Sequence, residues 1–190
     1  MTSSEEWYYS FCFFDEPDED LVEFLEEVDN GTALDVACGL GRNSFYLASL
    51  GYDVIGVDMS EIAISIMNEK AKLENSKVKG VACDIQEYNF TEKFDIIVLS
   101  YIFHYFFYQI EQIGILNKFI EYTKEGGFLF IKVPYSNERI GSLSLKDGLL
   151  KNALKESKNK WEIIHEEVRF SGEGKKWGKY IFLARKLEQK

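Results

Sequence analysis

Apolar and polar positions along this chain alternate between two rhythms. Thr32–Ala37, Asp53–Asp58, Lys77–Cys83 and Phe94–Leu99 are short apolar runs of the kind that form buried strands. The stretches between and after them, Asn43–Leu50, Glu61–Leu73 and Ile102–Tyr122, read as helices. Ser60 stands as the cap of the second, with Glu61 in its first turn. Gly126-Gly127 then leads into a fifth strand, Phe128–Val133. Repeated β–α units of this length predict a parallel sheet with helices on both faces. Val133-Pro134-Tyr135 reads as a strand-end turn, and beyond it the pattern changes. A helix over Leu143–Ser157 and two strands, Trp161–Phe170 and Lys179–Ala184, around the turn Ser171-Gly172-Glu173-Gly174 predict a closing antiparallel hairpin. The fold class is α/β, doubly wound and mostly parallel.

Two further pieces precede the first strand. Pro17 opens a run with apolar residues at Leu21, Phe24, Leu25 and Val28, helical spacing with acids at the favoured end, so residues 17–28 are expected to form a lead-in helix. Trp7-Tyr8-Tyr9 and Phe11 to Phe14 form a dense aromatic run that either packs on the core or covers an acceptor pocket. Residues 1–30 are read as this lid or cover, and 31–190 as one ligand-binding domain.

The candidate chemistry lies where the first strand meets the first helix, in Leu34-Asp35-Val36-Ala37-Cys38-Gly39-Leu40-Gly41-Arg42-Asn43-Ser44. Glycines at such a junction let a ligand approach the backbone, and the helix start leaves N–H donors free. That is the logic of a nucleotide-type site at the carboxyl end of a first parallel strand. Charge narrows the ligand. Asp35 lies in the first strand, Asp58 ends the second and Asp84 ends the third. Three carboxylates would repel a pyrophosphate, but suit a ligand with cationic groups, a ribose diol and an aminopurine. S-adenosylmethionine has these features and no phosphate. Asp58 follows Gly41 at about the spacing of a carboxylate that grips a ribose diol; its alternative is a cap for the next helix.

These residues, with Gly51-Tyr52-Asp53-Val54-Ile55-Gly56-Val57-Asp58 and Lys124-Glu125-Gly126-Gly127, resemble the class I S-adenosylmethionine-dependent methyltransferases. Within that superfamily the chain is similar to the tellurite-resistance type of small-molecule methyltransferase. Gly39 to Ala48, Leu145-Lys146-Asp147-Gly148-Leu149 and Phe182-Leu183-Ala184-Arg185-Lys186 carry that similarity. The resemblance implies a Rossmann-like seven-stranded sheet in the order 3-2-1-4-5-7-6. It implies S-adenosyl-L-methionine bound by Asp35, Ala37, Gly39, Gly41, Arg42, Asn43, Asp58, Met59, Asp84, Ile85 and Ser100. Asp35 would serve the glycine turn and the ammonium side of the ligand; Asp84, beside Ile85, would take the adenine amino group. Ala37 departs from the pattern, standing where many members have a glycine.

Ser100-Tyr101-Ile102-Phe103-His104-Tyr105 follows the fourth strand, where this fold places acceptor-facing residues. His104 is a packed or adenine-side histidine, or a general base. Tyr101 and Tyr105 line the acceptor pocket or pack. These three are the catalytic candidates, and the lack of a clear base mildly favours a soft anionic acceptor such as a chalcogen oxyanion or thiolate. Gly172-Glu173-Gly174-Lys175-Lys176 lacks the spacing of a phosphate loop and is read as a hairpin tip.

The sequence has 190 residues and a formal net charge of −10, which makes nucleic acid and anionic membranes poor default partners. Its three cysteines, Cys12, Cys38 and Cys83, suit a reducing compartment, and no apolar run approaches the ~20 residues of a membrane span. The expectation is a cytoplasmic protein, monomer or homodimer, with a small-molecule methyl acceptor. No metal site is expected, since His104 and His165 are distant and the cysteines are unpaired in spacing. Three rivals stay open: a methyltransferase of protein or tRNA, a non-catalytic S-adenosylmethionine-binding scaffold, and a nicotinamide-dependent oxidoreductase.

Overall fold

The computed structural model describes residues 16–25, 31–103, 109–136, 148–171 and 177–188. Among them the chain runs α1 (Glu19–Phe24), β1 (Thr32–Val36), α2 (Arg42–Ser49), β2 (Asp53–Asp58), α3 (Glu61–Leu73), β3 (Val78–Ala82) and β4 (Phe94–Ser100). It continues as α4 (Gln109–Tyr122), β5 (Thr123–Ser136), α5 (Leu149–Glu156), β6 (Trp161–Ser171) and β7 (Trp177–Lys186). The strands form one seven-stranded sheet in the order β3-β2-β1-β4-β5-β7-β6. The first five are parallel, and β7 runs antiparallel to both β5 and β6. The order reverses between β1 and β4, which makes their carboxyl ends the switch point where ligands bind in open α/β sheets.

Apolar side chains fill both faces of the sheet. Leu34, Val36, Ile97, Leu99, Leu129 and Ile131 turn to one face with Phe119 and Leu150; Ala33, Val54, Ile96, Val98 and Phe130 turn to the other with Leu47 and Met67. The alternation follows the two-residue period of a strand. Met67 of α3 passes beneath the turn that follows β1. A Cβ on Gly41 would lie 2.4 Å from its Sδ, and one on Gly56 would lie 2.9 Å from its Cε and from Cys38 Sγ. The glycine turn is therefore seated on packed sulfur, with no room for a side chain at these positions.

Several boundaries differ from the expectation. α1 ends at Phe24, with Leu25 already out of helical geometry; the Glu26 and Glu27 that follow are unfavourable charges for a helix C-terminus. The helix expected from Ile102 is described from Gln109, and Tyr101 before it takes a φ of +58°, outside any helix. α5 begins at Leu149, behind Gly148 at φ +95°; the Leu143 start expected from the sequence lies outside the described residues. β5 extends well beyond Val133, so Pro134 is not a turn but a strand residue opposite Lys179. β4 leaves the sheet here: Tyr101 N–H donates to Lys132 O and the pairing stops. Alternation along β5 puts Pro134 on that same vacated side, where a missing N–H costs no ladder bond. No described helix is long and apolar enough to cross a membrane.

Candidate cofactor and acceptor site

The turn after β1 is built on backbone that most side chains resist. Ala37, Gly39 and Gly41 have φ of +57°, +56° and +88°. Ala37 holds a left-handed conformation that glycine adopts freely, at a cost of order 1 kcal/mol for a residue with a Cβ. Gly41 N–H donates to Cys38 O at 2.9 Å and Cys38 N–H to Val57 O at 3.2 Å, which closes the turn against β2. Gly41 then caps α2 without a side chain, leaving the first N–H groups of that helix facing the switch point.

Two carboxylates hold this turn. Asp35 is buried and accepts the Ser44 hydroxyl at 2.7 Å. Burial pushes its carboxyl up to about 7; the Ser44 bond and the Arg42 charge oppose the rise, and Asp58 adds to it. Asp58 accepts Gly39 N–H on Oδ2 and Ser60 N–H on Oδ1, both at 2.9 Å. It therefore organises the turn and the start of α3 together. Ser60 is itself the cap, accepting Ala63 N–H at 3.2 Å. An ionised carboxylate has about four acceptor sites, so these bonds and a diol are chemically compatible. Met59, next to Asp58, is 74% exposed, a large apolar side chain left uncovered at the mouth of the site. Cys38 is buried beneath the turn; burial, then Asp35 and Asp58, push its thiol far up, so it is inert.

The loop after β3 forms the next wall. Asp84 accepts Gln86 N–H on Oδ1 at 2.9 Å, and its carbonyl takes Glu87 and Tyr88 N–H, each at 3.0 Å. Ile85 beside it is buried.

The other side of the switch point holds a cluster of charges that no local pattern announces. Asp18 and Asp20, at the start of α1, are 2% and 0% exposed. Lys132 of β5, itself buried, lies 2.7 Å from Asp18 and 2.6 Å from Asp20. Lys179 of β7 and Arg169 of β6 each reach Asp20 at 2.7 Å. Asp18 also accepts the Ser100 hydroxyl at 3.1 Å, lies 3.7 Å from Arg42, and donates its N–H to Asn43 Oδ1 at 2.9 Å. Burial pushes the Asp20 carboxyl up, but the hydrogen bonds from Lys132 and Lys179 outweigh it and the net direction is down. Against this cluster opens a cavity of about 230 Å³ lined by Glu19, Tyr101, Arg169, Phe170, Gly178 and Lys179. Lys132 Nζ sits 5.4 Å from the centre of the Tyr101 ring.

Asp35, Ala37, Gly39, Gly41 and Asp58 thus come together at the end of β1, while Arg42, Asn43 and Ser100 face the Asp18 side of the same opening. Asp84 and Ile85 sit apart on the β3 side. Tyr101 lines the cavity; His104 and Tyr105 lie outside the described residues, as does the aromatic run at 7–14. Asp18, Asp20, Lys132, Arg169 and Lys179 were missed by sequence reasoning. The one available signal was the lysine in the otherwise apolar Phe128-Leu129-Phe130-Ile131-Lys132-Val133. Among the described residues no cluster of His, Cys, Asp and Glu could hold a metal ion.

A doubly wound sheet in this order, with an acid-flanked glycine turn at its switch point, is the architecture of the class I S-adenosylmethionine-dependent methyltransferases. More narrowly, the chain belongs to the TehB family, since the model of that family, tellurite resistance protein TehB, matches residues 2–176. It is 33% identical over 147 residues to a probable S-adenosyl-L-methionine-dependent methyltransferase TehB of Haemophilus influenzae, covering 76% of this chain and 51% of that protein. The crystal structure of Haemophilus influenzae TehB is similar, with a TM-score of 0.72 at 28% identity, covering 89% of this chain and 62% of that one. A cypemycin N-terminal methyltransferase from Streptomyces is 34% identical over 107 residues, 55% of this chain and 42% of that protein. The chain spans about half the length of the Haemophilus relatives.

Proposed function

We propose that this protein transfers a methyl group from S-adenosylmethionine to a small soluble acceptor in the cytoplasm. The observation that carries the reading is the pairing of Asp35 and Asp58 around the glycine turn at the switch point, where Gly39 and Gly41 at positive φ present bare backbone. Such a cradle suits close approach of a ligand, and two carboxylates under it suit a cation and a diol and repel a pyrophosphate. Asp35 would balance the ammonium side, Asp58 would take the ribose hydroxyls, Met59 and Ile85 would flank the adenine, and Asp84 would meet its amino group. Gly39, Gly41, Arg42, Asn43 and Ser100 would complete the wall.

When bound, S-adenosylmethionine supplies a methyl carbon on a sulfonium, open to in-line displacement. Sulfur loses its charge as the new bond forms, so for an anionic acceptor the residues here need only position it and exclude water, effects worth up to ~7–11 kcal/mol in well-oriented systems, whereas an amine or hydroxyl must also pass its proton to a base. The cavity beside Tyr101 is the acceptor site in this reading, with room for a small molecule. Residues 1–30 would form its cover. Arg169 and Lys179 would face an anionic end of the acceptor, such as a chalcogen oxyanion. Asp20, Glu19, Glu23 and Glu167 already share those two cations, so an oxyanion must compete with them.

The test is methyl transfer from labelled S-adenosylmethionine across a panel of metalloid oxyanions, thiols, amines and hydroxylated metabolites. Label in a small product is expected. Label in tRNA or protein alone would overturn the acceptor class, and cofactor binding with no product in any arm would leave a binding scaffold.

A further inference from the structure

β3 is an edge of the sheet, so the loop that follows it has no strand on its outer side to fix its position. It is fixed from α4 instead. Lys118 donates to three carbonyls of the loop: Ile85 O at 3.0 Å, Gln86 O at 3.3 Å and Tyr88 O at 2.7 Å. An ammonium has three N–H donors, so the whole donor set of this side chain is spent on one short piece of backbone. Its Nζ also lies 4.9 Å from the centre of the Phe90 ring. The loop cannot hold these carbonyls itself, since its N–H groups at Gln86, Glu87 and Tyr88 all turn back to Asp84. A tight turn of this kind leaves its oxygens pointing one way, as a helix C-terminus does, and a cation is the partner they require.

We propose that Lys118 is the positioning residue for the adenine side of the cofactor cleft. By anchoring the 85, 86 and 88 carbonyls it sets where Asp84 and Ile85 stand, and so sets the preference for an aminopurine. This rests on the S-adenosylmethionine reading above. Charge-assisted bonds to carbonyls are about twice as strong as neutral ones, which suits a cation for the task. A plain packing role would need a long side chain but no ammonium.

Calorimetry with S-adenosylhomocysteine and S-inosylhomocysteine, which carries a carbonyl where adenine has its amino group, tests this in wild type, K118M and K118R. Wild type should prefer the adenine ligand; a wild type that binds neither defeats the cofactor reading before any variant is compared. In K118M, S-adenosylhomocysteine should bind about tenfold more weakly while the inosine ligand changes less, so that the preference shrinks. In K118R, whose guanidinium still donates to carbonyls, the preference should return to within about threefold of wild type. A K118M protein that keeps the wild-type preference, whether or not both affinities fall together, overturns the proposal. Should K118M not fold, K118Q, too short to span the three carbonyls, is read by the same two outcomes.

Discussion

Asp58 anchors two backbone N–H groups from different elements, Gly39 at the turn and Ser60 at the start of α3. Sequence left it open between ligand grip and helix cap; the structure makes Ser60 the cap and gives Asp58 the turn and the start of α3, and a grip on the ribose is the proposal. Asp58→Asn removes the charge and keeps an oxygen for only one of the two backbone N–H groups, so the turn loses one bond as well. It is expected to weaken S-adenosylhomocysteine binding at least about tenfold, since hydrogen bonds to charged groups contribute ~1.5–3 kcal/mol each. Calorimetry beside a melting curve checks this; unchanged affinity would leave Asp58 with the turn alone. Asp35 gives a pH signature. Its carboxyl is raised to about 7, above the ordinary 3.8. Between those values the folded protein holds a proton that the unfolded chain has released, so Asp35's contribution to stability falls as pH rises through this window. A cationic ligand favours the ionised form, so cofactor affinity should drop as pH is lowered from 8 to about 6, and Asp35→Asn should flatten that dependence. A wild-type affinity that does not change over this range would contradict the role.

The elements that carry the cofactor wall were legible because each announces itself locally. β1, β2 and β3 are apolar runs with an acid inside the first, at the end of the second and just after the third, and Gly41 marks a position above Met67 that takes no Cβ. α1 was legible as a helix covering the sheet through Leu21 and Leu25, but its ionic attachment was not. Beside that apolar contact it is held by ion pairs to β5, β6 and β7, far away in sequence, and charges paired at such separations leave no periodicity to read. Pro134 misled for a similar reason, since whether a proline can stay in a strand depends on where the neighbouring strand stops. Lys132 is the centre of the α1 attachment. Lys132→Met would leave Asp18 and Asp20 buried with their best partner gone, a change that costs about 3–5 kcal/mol when a buried pair is broken. A lower urea midpoint is expected, and an unchanged one would show that the Lys132 pairs add nothing to the attachment of α1. Asp20, held below the ordinary 3.8, contributes stability that is present above that value and lost as pH falls through its folded pKa. Acid unfolding of the Lys132→Met protein should accordingly begin at a higher pH than in wild type.

At the scale of the whole molecule, the sheet brings two chemically different walls to one opening. On the β2–β3 side stand Asp58, Met59, Asp84 and Ile85, acids and apolar groups suited to an adenosyl group. On the β5–β7 side stand Lys132, Arg169 and Lys179, cations balanced by the acids of α1 and its neighbours. The turn between β1 and α2 lies between them, at the switch point. The proposed reading puts a ligand with a cationic centre on the first side and a small polar acceptor on the second, and the acids of the first side disfavour a nucleotide phosphate there. The central claim is most directly tested by isothermal titration of this chain with S-adenosylhomocysteine, NADH and ATP. The account predicts one site for S-adenosylhomocysteine with micromolar or tighter affinity and no measurable heat from the other two. NADH or ATP binding as tightly as S-adenosylhomocysteine would contradict it.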